Sequence, residues 1–313
     1  MKKPFIALAI ILLSLLLFSC ELFVKEPQAG KVYAILVALD YKNSYQDDLK
    51  GTLPDAHEQD LAFKAVTEKL AKSSYTGFKF LQEGVDVSST VKHLIGDEEI
   101  NAYPKPENIE AAIQALSKIT TSEDLIIFTF SGHSGKGEIA LAPSVPDSTS
   151  FYNISDLLDH FSSVKGRKLI ILDACETGYG VPSDPASSST LLEKAIASWY
   201  AKYFNGERSE KSDLFVLTSS ANTDSYEDNF KGKRHGVFTY ALLKALGWNV
   251  DTGTMSTAIP PAAKRGRLTV DGLLSYIKAH QTLKTKRSLF KPFVDFQHPM
   301  VSGGALDMIL FTF

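Results

Sequence analysis

Lys168-Leu-Ile-Ile-Leu-Asp173-Ala174-Cys175-Glu176-Thr177-Gly178 is an apolar run that ends in a carboxylate, a thiol and a glycine-bearing turn. Upstream, Asp124-Leu-Ile-Ile-Phe-Thr-Phe-Ser131-Gly132-His133-Ser134-Gly135 follows the same plan and ends in an imidazole. Short β-rich runs that are apolar throughout read as strands buried on both faces, as in parallel sheets. Between them Ser155 to Val164 reads as a helix, so Leu125 to Asp173 is strand, crossover helix, strand. Such connections lay two strands parallel, and in open parallel sheets catalytic groups gather at the carboxyl ends of the strands. Cys175 and His133 are thus expected on one rim, as a nucleophile and its proton acceptor.

The same alternation runs outward from this unit. Lys31 to Leu39 reads as a buried strand, and Asp40 to Pro54 as a loop. Ala56 to Lys72 has helical periodicity, with Asp55 and Glu58 forming a capping-box pattern at its start. Phe78 to Gln82 reads as a strand, Ser88 to Ile95 as a short helix, and Glu107 to Ile119 as a helix after a proline breaker. Ile139 to Ala142 reads as a short extended piece and Glu176 to Leu191 as a loop. Leu192 to Phe204 reads as a helix, and Asn205 to Ser212 as a charged turn. Leu214 to Ser219 reads as a strand, Gly236 to Leu246 and Thr269 to His280 as helices, Asn249 to Arg267 as irregular, and Ile309 to Phe313 as a last strand. Alternating strands and helices predict one α/β domain with a mostly parallel sheet.

The ends and the composition narrow the class. Met1-Lys2-Lys3, an apolar run from Pro4 to Ser19, and then Cys20 read as an export signal. The run is about 15 residues, short of the roughly 20 that span a bilayer. Leu17-Phe18-Ser19-Cys20 resembles the bacterial lipobox, which implies a signal peptide over residues 1–19, lipidation of Cys20 and a tether over residues 20–30. The protein is then expected as an exported, membrane-anchored lipoprotein of the bacterial cell envelope. Each buried methylene of a lipid contributes about 0.8 kcal/mol, so several chains hold firmly. Lys and Arg number 33 against 36 Asp and Glu, a near balance that does not suggest nucleic acid. Of the 2 cysteines, removal of Cys20 leaves Cys175 as the single thiol. A lone thiol in an exported protein invites a functional reading, against the plain alternative of a buried, inert cysteine.

A thiolate adds to an amide carbonyl when a neighbouring imidazole takes its proton. His133 then returns that proton to the leaving amine. Backbone N–H groups in the glycine-bearing turns, those of Ser134 and Cys175, are the candidate oxyanion donors.

With these residues set out, the chain resembles the caspase-fold cysteine peptidases. It is most similar to the metacaspase and bacterial orthocaspase branch, whose motifs read Ser-Gly-His-Gly and Asp-x-Cys-x-Ser-Gly. Leu49-Lys-Gly51-Thr52-Leu-Pro54-Asp55-Ala56 follows that branch's Leu-x-Gly-Cys-x-Asn-Asp-Ala. Leu217-Thr-Ser-Ser-Ala221 and His235-Gly236-Val-Phe238-Thr239-Tyr-Ala-Leu242 resemble the segment after the nucleophile. The resemblance covers most of residues 31–313, taken as the peptidase domain. It implies a three-layer α/β fold, with a mostly parallel central sheet flanked by helices. It also implies a Cys175–His133 dyad, and an acidic S1 pocket mapped onto Asp55, Ser131 and Asp173. The implied substrate is a peptide or protein cut after Arg or Lys. The chemistry requires no cofactor, and no metal ligands stand out. Calcium activation, common in that branch, rests on acidic clusters that cannot be assigned here. Ser134 stands where the branch has Gly, and Thr52 and Pro54 stand where it has Cys and Asn.

Other readings fare less well. Gly132-His-Ser134-Gly135-Lys136 lacks the final glycine of a serine-hydrolase elbow, and His57-Glu58 lacks the second His of a zinc protease. His235, beside Lys233 and Arg234, is expected at the surface. Lys202, Arg208 and Lys211 suit the implied specificity as sites of autoprocessing. The expectation is a membrane-tethered cysteine endopeptidase. Its rivals are a catalytically inactive caspase-like module that binds a peptide or partner, and an envelope scaffold that does no chemistry.

Overall fold

A computed structural model describes residues 30–42, 44, 46–70, 73–84, 89–135, 137–142, 149–175, 196, 199, 213–219, 225–281, 300–303 and 306–313. The signal at residues 1–19, Cys20 and the tether before Gly30 lie outside these residues. So do the loop at 176–191, the turn at 205–212, Lys202, Arg208 and Lys211. The same is true of the helix at 192–204, apart from the buried Ile196 and Trp199. Among the described residues no helix is long and apolar enough to cross a membrane.

In chain order the elements open with β1 (Val32–Leu39), α1 (Thr52–Thr67), β2 (Tyr75–Gln82), β3 (Lys92–Ile95), β4 (Glu98–Asn101) and α2 (Pro106–Ile119). Then come β5 (Leu125–Gly135), β6 (Glu138–Leu141), β7 (Ser150–Asn153), α3 (Ile154–Ser162), β8 (Arg167–Cys175) and β9 (Leu214–Thr218). The chain continues through β10 (Glu227–Phe230), β11 (Lys233–Gly236), α4 (Val237–Ala245), β12 (Trp248–Asn249), β13 (Thr254–Met255) and β14 (Arg267–Thr269). It ends with α5 (Val270–His280), β15 (Met300–Gly303) and β16 (Ile309–Thr312).

The central sheet runs β15-β9-β8-β5-β1-β2. Every neighbouring pair is parallel except the edge strand β15, which is antiparallel to β9. Alternate residues of each strand feed opposite cores, as the period of two requires. Ile35, Val37, Phe128, Phe130, Ile170 and Leu172 pack with Ile109 and Leu116 of α2 and with Leu157 and Phe161 of α3. Leu36, Ile127, Leu169, Ile171 and Leu217 pack with Phe63 of α1, Leu242 of α4 and Leu273 of α5. Helices thus cover both faces, giving the expected three layers and mostly parallel sheet.

Three local expectations need correction. Helix α1 starts at Thr52 rather than Ala56, so Asp55 lies one turn inside and does not open a capping box. Pro54 is tolerated because first-turn N–H groups lack intrahelical acceptors in any case. Glu58 turns instead to Lys233 Nζ, at 3.1 Å, and to the indole of Trp248. The segment read as a helix at 88–95 contributes β3, which pairs with β4 across the two-residue loop Gly96-Asp97. Gly96 has φ 62°, a conformation that favours glycine. The stretch read as irregular from Asn249 contains the small β12–β13 hairpin.

Strand β8 is fastened at both ends. Near its start the buried Lys168 places Nζ 2.8 Å from Val164 O and 3.0 Å from the Asp213 carboxylate. At its tip Ser219 Oγ accepts from Ala174 N at 3.1 Å and donates to Ala174 O at 3.2 Å.

Candidate active site

The sheet rim is set by register. Strands β5 and β8 pair Ser131 with Asp173, Gly132 with Ala174 and His133 with Cys175. Backbones of adjacent strands lie about 4.8 Å apart, so the two tips carry the imidazole residue and the thiol residue side by side. The side chain of Cys175 lies outside the described residues.

His133 is held from three directions. Its backbone N donates to Tyr41 Oη at 2.8 Å, and Tyr41 Oη donates to Ala140 O at 2.8 Å. The two rings pack at 4.6 Å. Its Nε2 lies 2.7 Å from Asp47 O. A carbonyl only accepts, so Nε2 carries the proton, and in the neutral ring Nδ1 holds the lone pair. Tyr41 itself adopts φ 61° while almost wholly buried. For an aromatic residue that is a strained backbone, of the kind retained near functional sites.

A pocket beside His133 is lined by Asp55, Ser131, Asp173, Glu227 and Gly236. Asp55 is 0 % exposed and Asp173 is 5 % exposed. Ser131 Oγ donates to Asp55 Oδ2 at 2.9 Å. Gly236 N donates to both of its oxygens, at 3.3 and 3.2 Å, and His235 Nδ1 lies 2.9 Å from Oδ1. Asp173 accepts from Ser225 Oγ at 2.6 Å, from Thr239 Oγ1 at 2.7 Å and from Thr239 N at 3.1 Å. Burial, and then the neighbouring charge of Asp173, push the Asp55 carboxyl well above its ordinary range. Burial likewise raises Asp173, against the pull of its hydroxyl donors. Two buried acids, each partly compensated by hydrogen-bond donors, thus share one small pocket.

The N-terminus of α1 is built from a distance. Its N-cap, Gly51, has no side chain to offer. Glu227 accepts from Gly51 N at 2.7 Å and from Lys50 N at 3.2 Å, and is itself held by Arg234 Nε at 3.0 Å. Gly236 is fixed by proximity, since a Cβ there would sit 2.2 Å from Asp173 Oδ2 and 3.1 Å from Asp55 Oδ2.

The structure brings Asp55, Ser131, His133 and Asp173 together, as the motifs suggest. Ser134 is buried opposite Ile139 in the β5–β6 hairpin and is not one of the pocket's lining residues. The surface expectation for His235 is wrong: the residue is 0 % exposed, because β11 folds over α1 and turns its ring inward onto Asp55. Sequence reasoning also missed Tyr41, the Asp47 carbonyl, Ser225, Glu227 and the pocket role of Thr239. Only His235 and Thr239 had a signal, since both fall in the quoted segment that opens α4. Among the described residues no group of His, Cys, Asp or Glu side chains is arranged to hold a metal ion.

The family model of the caspase domain matches residues 32–264. A search of curated proteins finds no match.

Proposed function

Because the chain belongs to the caspase-domain family, we propose that it is a cysteine endopeptidase of the metacaspase and orthocaspase type, cutting after Arg or Lys. The observation that carries the reading is the pairing of His133 with Cys175 at adjacent strand tips, next to a pocket holding two buried carboxylates.

In this reading the Cys175 thiol gives its proton to His133 Nδ1, the nitrogen left bare by the Asp47 contact. The thiolate adds to the scissile carbonyl carbon and the π pair moves to oxygen. The amides of Ser134 and Cys175 are the proposed donors to that oxyanion. Collapse breaks the C–N bond, and His133 gives its proton to the departing amine. The resulting thioester is attacked by water, whose proton returns to His133, and the thiolate leaves with the acid product released.

The P1 cation enters between Asp55 and Asp173. Three donor groups reach Asp55, fewer than the roughly four a carboxylate accepts. A guanidinium can place one N–H on each of the two acids, using the acceptor capacity that remains. It also relieves the mutual repulsion of the two acids. Lipidation at Cys20 and anchoring in the cell envelope complete the proposal, motivated by the lipobox-like Leu17–Cys20.

The test is cleavage of Arg- and Lys-containing peptides, with and without calcium, by the wild type and by Cys175→Ala. The variant is expected to lose turnover entirely, and a basic peptide carrying a thiol-reactive group is expected to label Cys175 in the wild type. Unchanged turnover in Cys175→Ala would end the dyad assignment. Peptide binding without turnover or labelling would favour a non-catalytic binding module.

A further inference from the structure

His235 stands outside the proposed chemistry yet is a fully buried ionisable side chain directly behind Asp55. It lies on β11, immediately before Gly236, and is fully buried. Nδ1 is 2.9 Å from Asp55 Oδ1, while Nε2 is buried with no partner among the described residues.

That asymmetry selects a tautomer. A proton on Nε2 would be a buried donor with no acceptor among the described residues, which is rarer and costlier in proteins than an unused lone pair. It would also leave Nδ1 as a lone pair facing a carboxylate oxygen. The proton therefore sits on Nδ1 and is donated to Asp55.

Resting on the basic-P1 reading of the pocket, we propose that His235 is a positioning residue for specificity: its neutral Nδ1–H holds Asp55 as a carboxylate aimed at the P1 cation. Neutrality is the useful property. A Lys or Arg at this place would donate equally well, but its charge would cancel the pocket's attraction for substrate. A hydrogen-bond donor without charge stabilises the anion and leaves its field available.

The surroundings agree. Burial keeps His235 neutral down to about 4; beyond burial, Glu58 of α1 and Glu227 of β10 favour its charged form and Lys233 of β11 opposes it. Tyr240 of α4 stands 6.2 Å away, ring to ring. Asp55 faces Asp173 and Glu227, both of which raise it. Hydrogen bonds from Ser131 and Gly236 favour its ionised form, and His235 Nδ1 reaches the same carboxyl.

Two substitutions separate geometry from bulk. His235→Asn keeps a neutral donor near the Nδ1 position, whereas His235→Gln moves the amide to the Nε2 position. Cleavage by the full chain is measured on matched peptides with Arg or uncharged citrulline at P1. His235→Asn is expected to keep the wild-type preference. His235→Gln is expected to lose roughly tenfold or more in kcat/KM on the Arg peptide, with little change on citrulline. Its acid limb for the Arg peptide should move to higher pH. Equal losses on both peptides with an unmoved acid limb would overturn the proposal. Imidazole 15N shifts of the wild type provide a test that needs no variant to fold. A neutral Nδ1–H ring from pH 7 to 5 supports the assignment, and an Nε2–H or cationic ring overturns it. A wild type that cuts both peptides equally would sink the basic-P1 reading, while the 15N shifts still report whether His235 donates to Asp55.

Discussion

At the residue scale, Gly236 has no room for a side chain. Its φ is ordinary, at −59°, so what excludes a side chain is the approach of Asp173 and Asp55. Gly236→Ala is expected to push the two carboxylates apart. Thermal unfolding should report a loss of about 1–3 kcal/mol, and kcat/KM on basic peptides should collapse. Tyr41 offers a gentler probe. Tyr41→Phe keeps the ring against His133 but removes the hydroxyl that links His133 N to Ala140 O. Leaving those groups without a partner costs about 1–3 kcal/mol. The expected signature is a fall in kcat with little change in KM, because the hydroxyl holds the backbone of His133, the proposed base, and bonds neither Asp55 nor Asp173. A rise in KM alone would contradict that placement.

Among the elements, α1 and α5 show two ways of starting a helix. Thr269 caps α5 from within the sequence, its Oγ1 accepting from Gly272 N at 3.0 Å. Helix α1 borrows its cap from Glu227, far along the chain. Thr269→Ala should cost about 1 kcal/mol and leave kcat/KM unchanged. Glu227→Ala should lower Tm and also raise KM for basic peptides, since α1 carries Asp55. The same contrast explains what could be read in advance. Local signals were enough for β1, β5, β8, α2 and α5, where apolar runs or caps lie within the element. They failed for the start of α1, whose cap is not nearby, and for β3, where the Gly96-Asp97 loop outweighed an apparent helical pattern. At the site, Asp55, Ser131, His133 and Asp173 could be proposed because each sits in a motif. Tyr41 and the Asp47 carbonyl could not, because neither a left-handed backbone at an aromatic nor a main-chain acceptor leaves a trace in residue type. His235 misled because its charged neighbours, Lys233 and Arg234, point a strand pattern outward while β11 turns that one ring inward.

For the molecule as a whole, the pocket sets opposing pH terms. Asp55 and Asp173 have raised folded-state pKa values. Their charges therefore cost stability at neutral pH, and that cost is relieved as pH falls toward the ordinary carboxylate range. His235 is depressed from 6.5 to about 4. Its contribution is complete above 6.5 and is lost as pH falls through that window, because only the unfolded chain takes up the proton readily. His235→Asn should thus gain stability relative to the wild type on acidification from 6.5 to 4, as followed by denaturant unfolding. Asp173→Asn should raise Tm at pH 7 while reducing cleavage after Arg, and its advantage should shrink in acid. The Lys168–Asp213 pair has a different consequence. It joins the start of β8 to the residue preceding β9, and the two strands then zip together from Lys168–Leu214 to Leu172–Thr218. A single backbone scission between Glu176 and Ser212 would therefore release nothing. The two pieces would share one interior and travel as a heterodimer through gel filtration, parting only in denaturant.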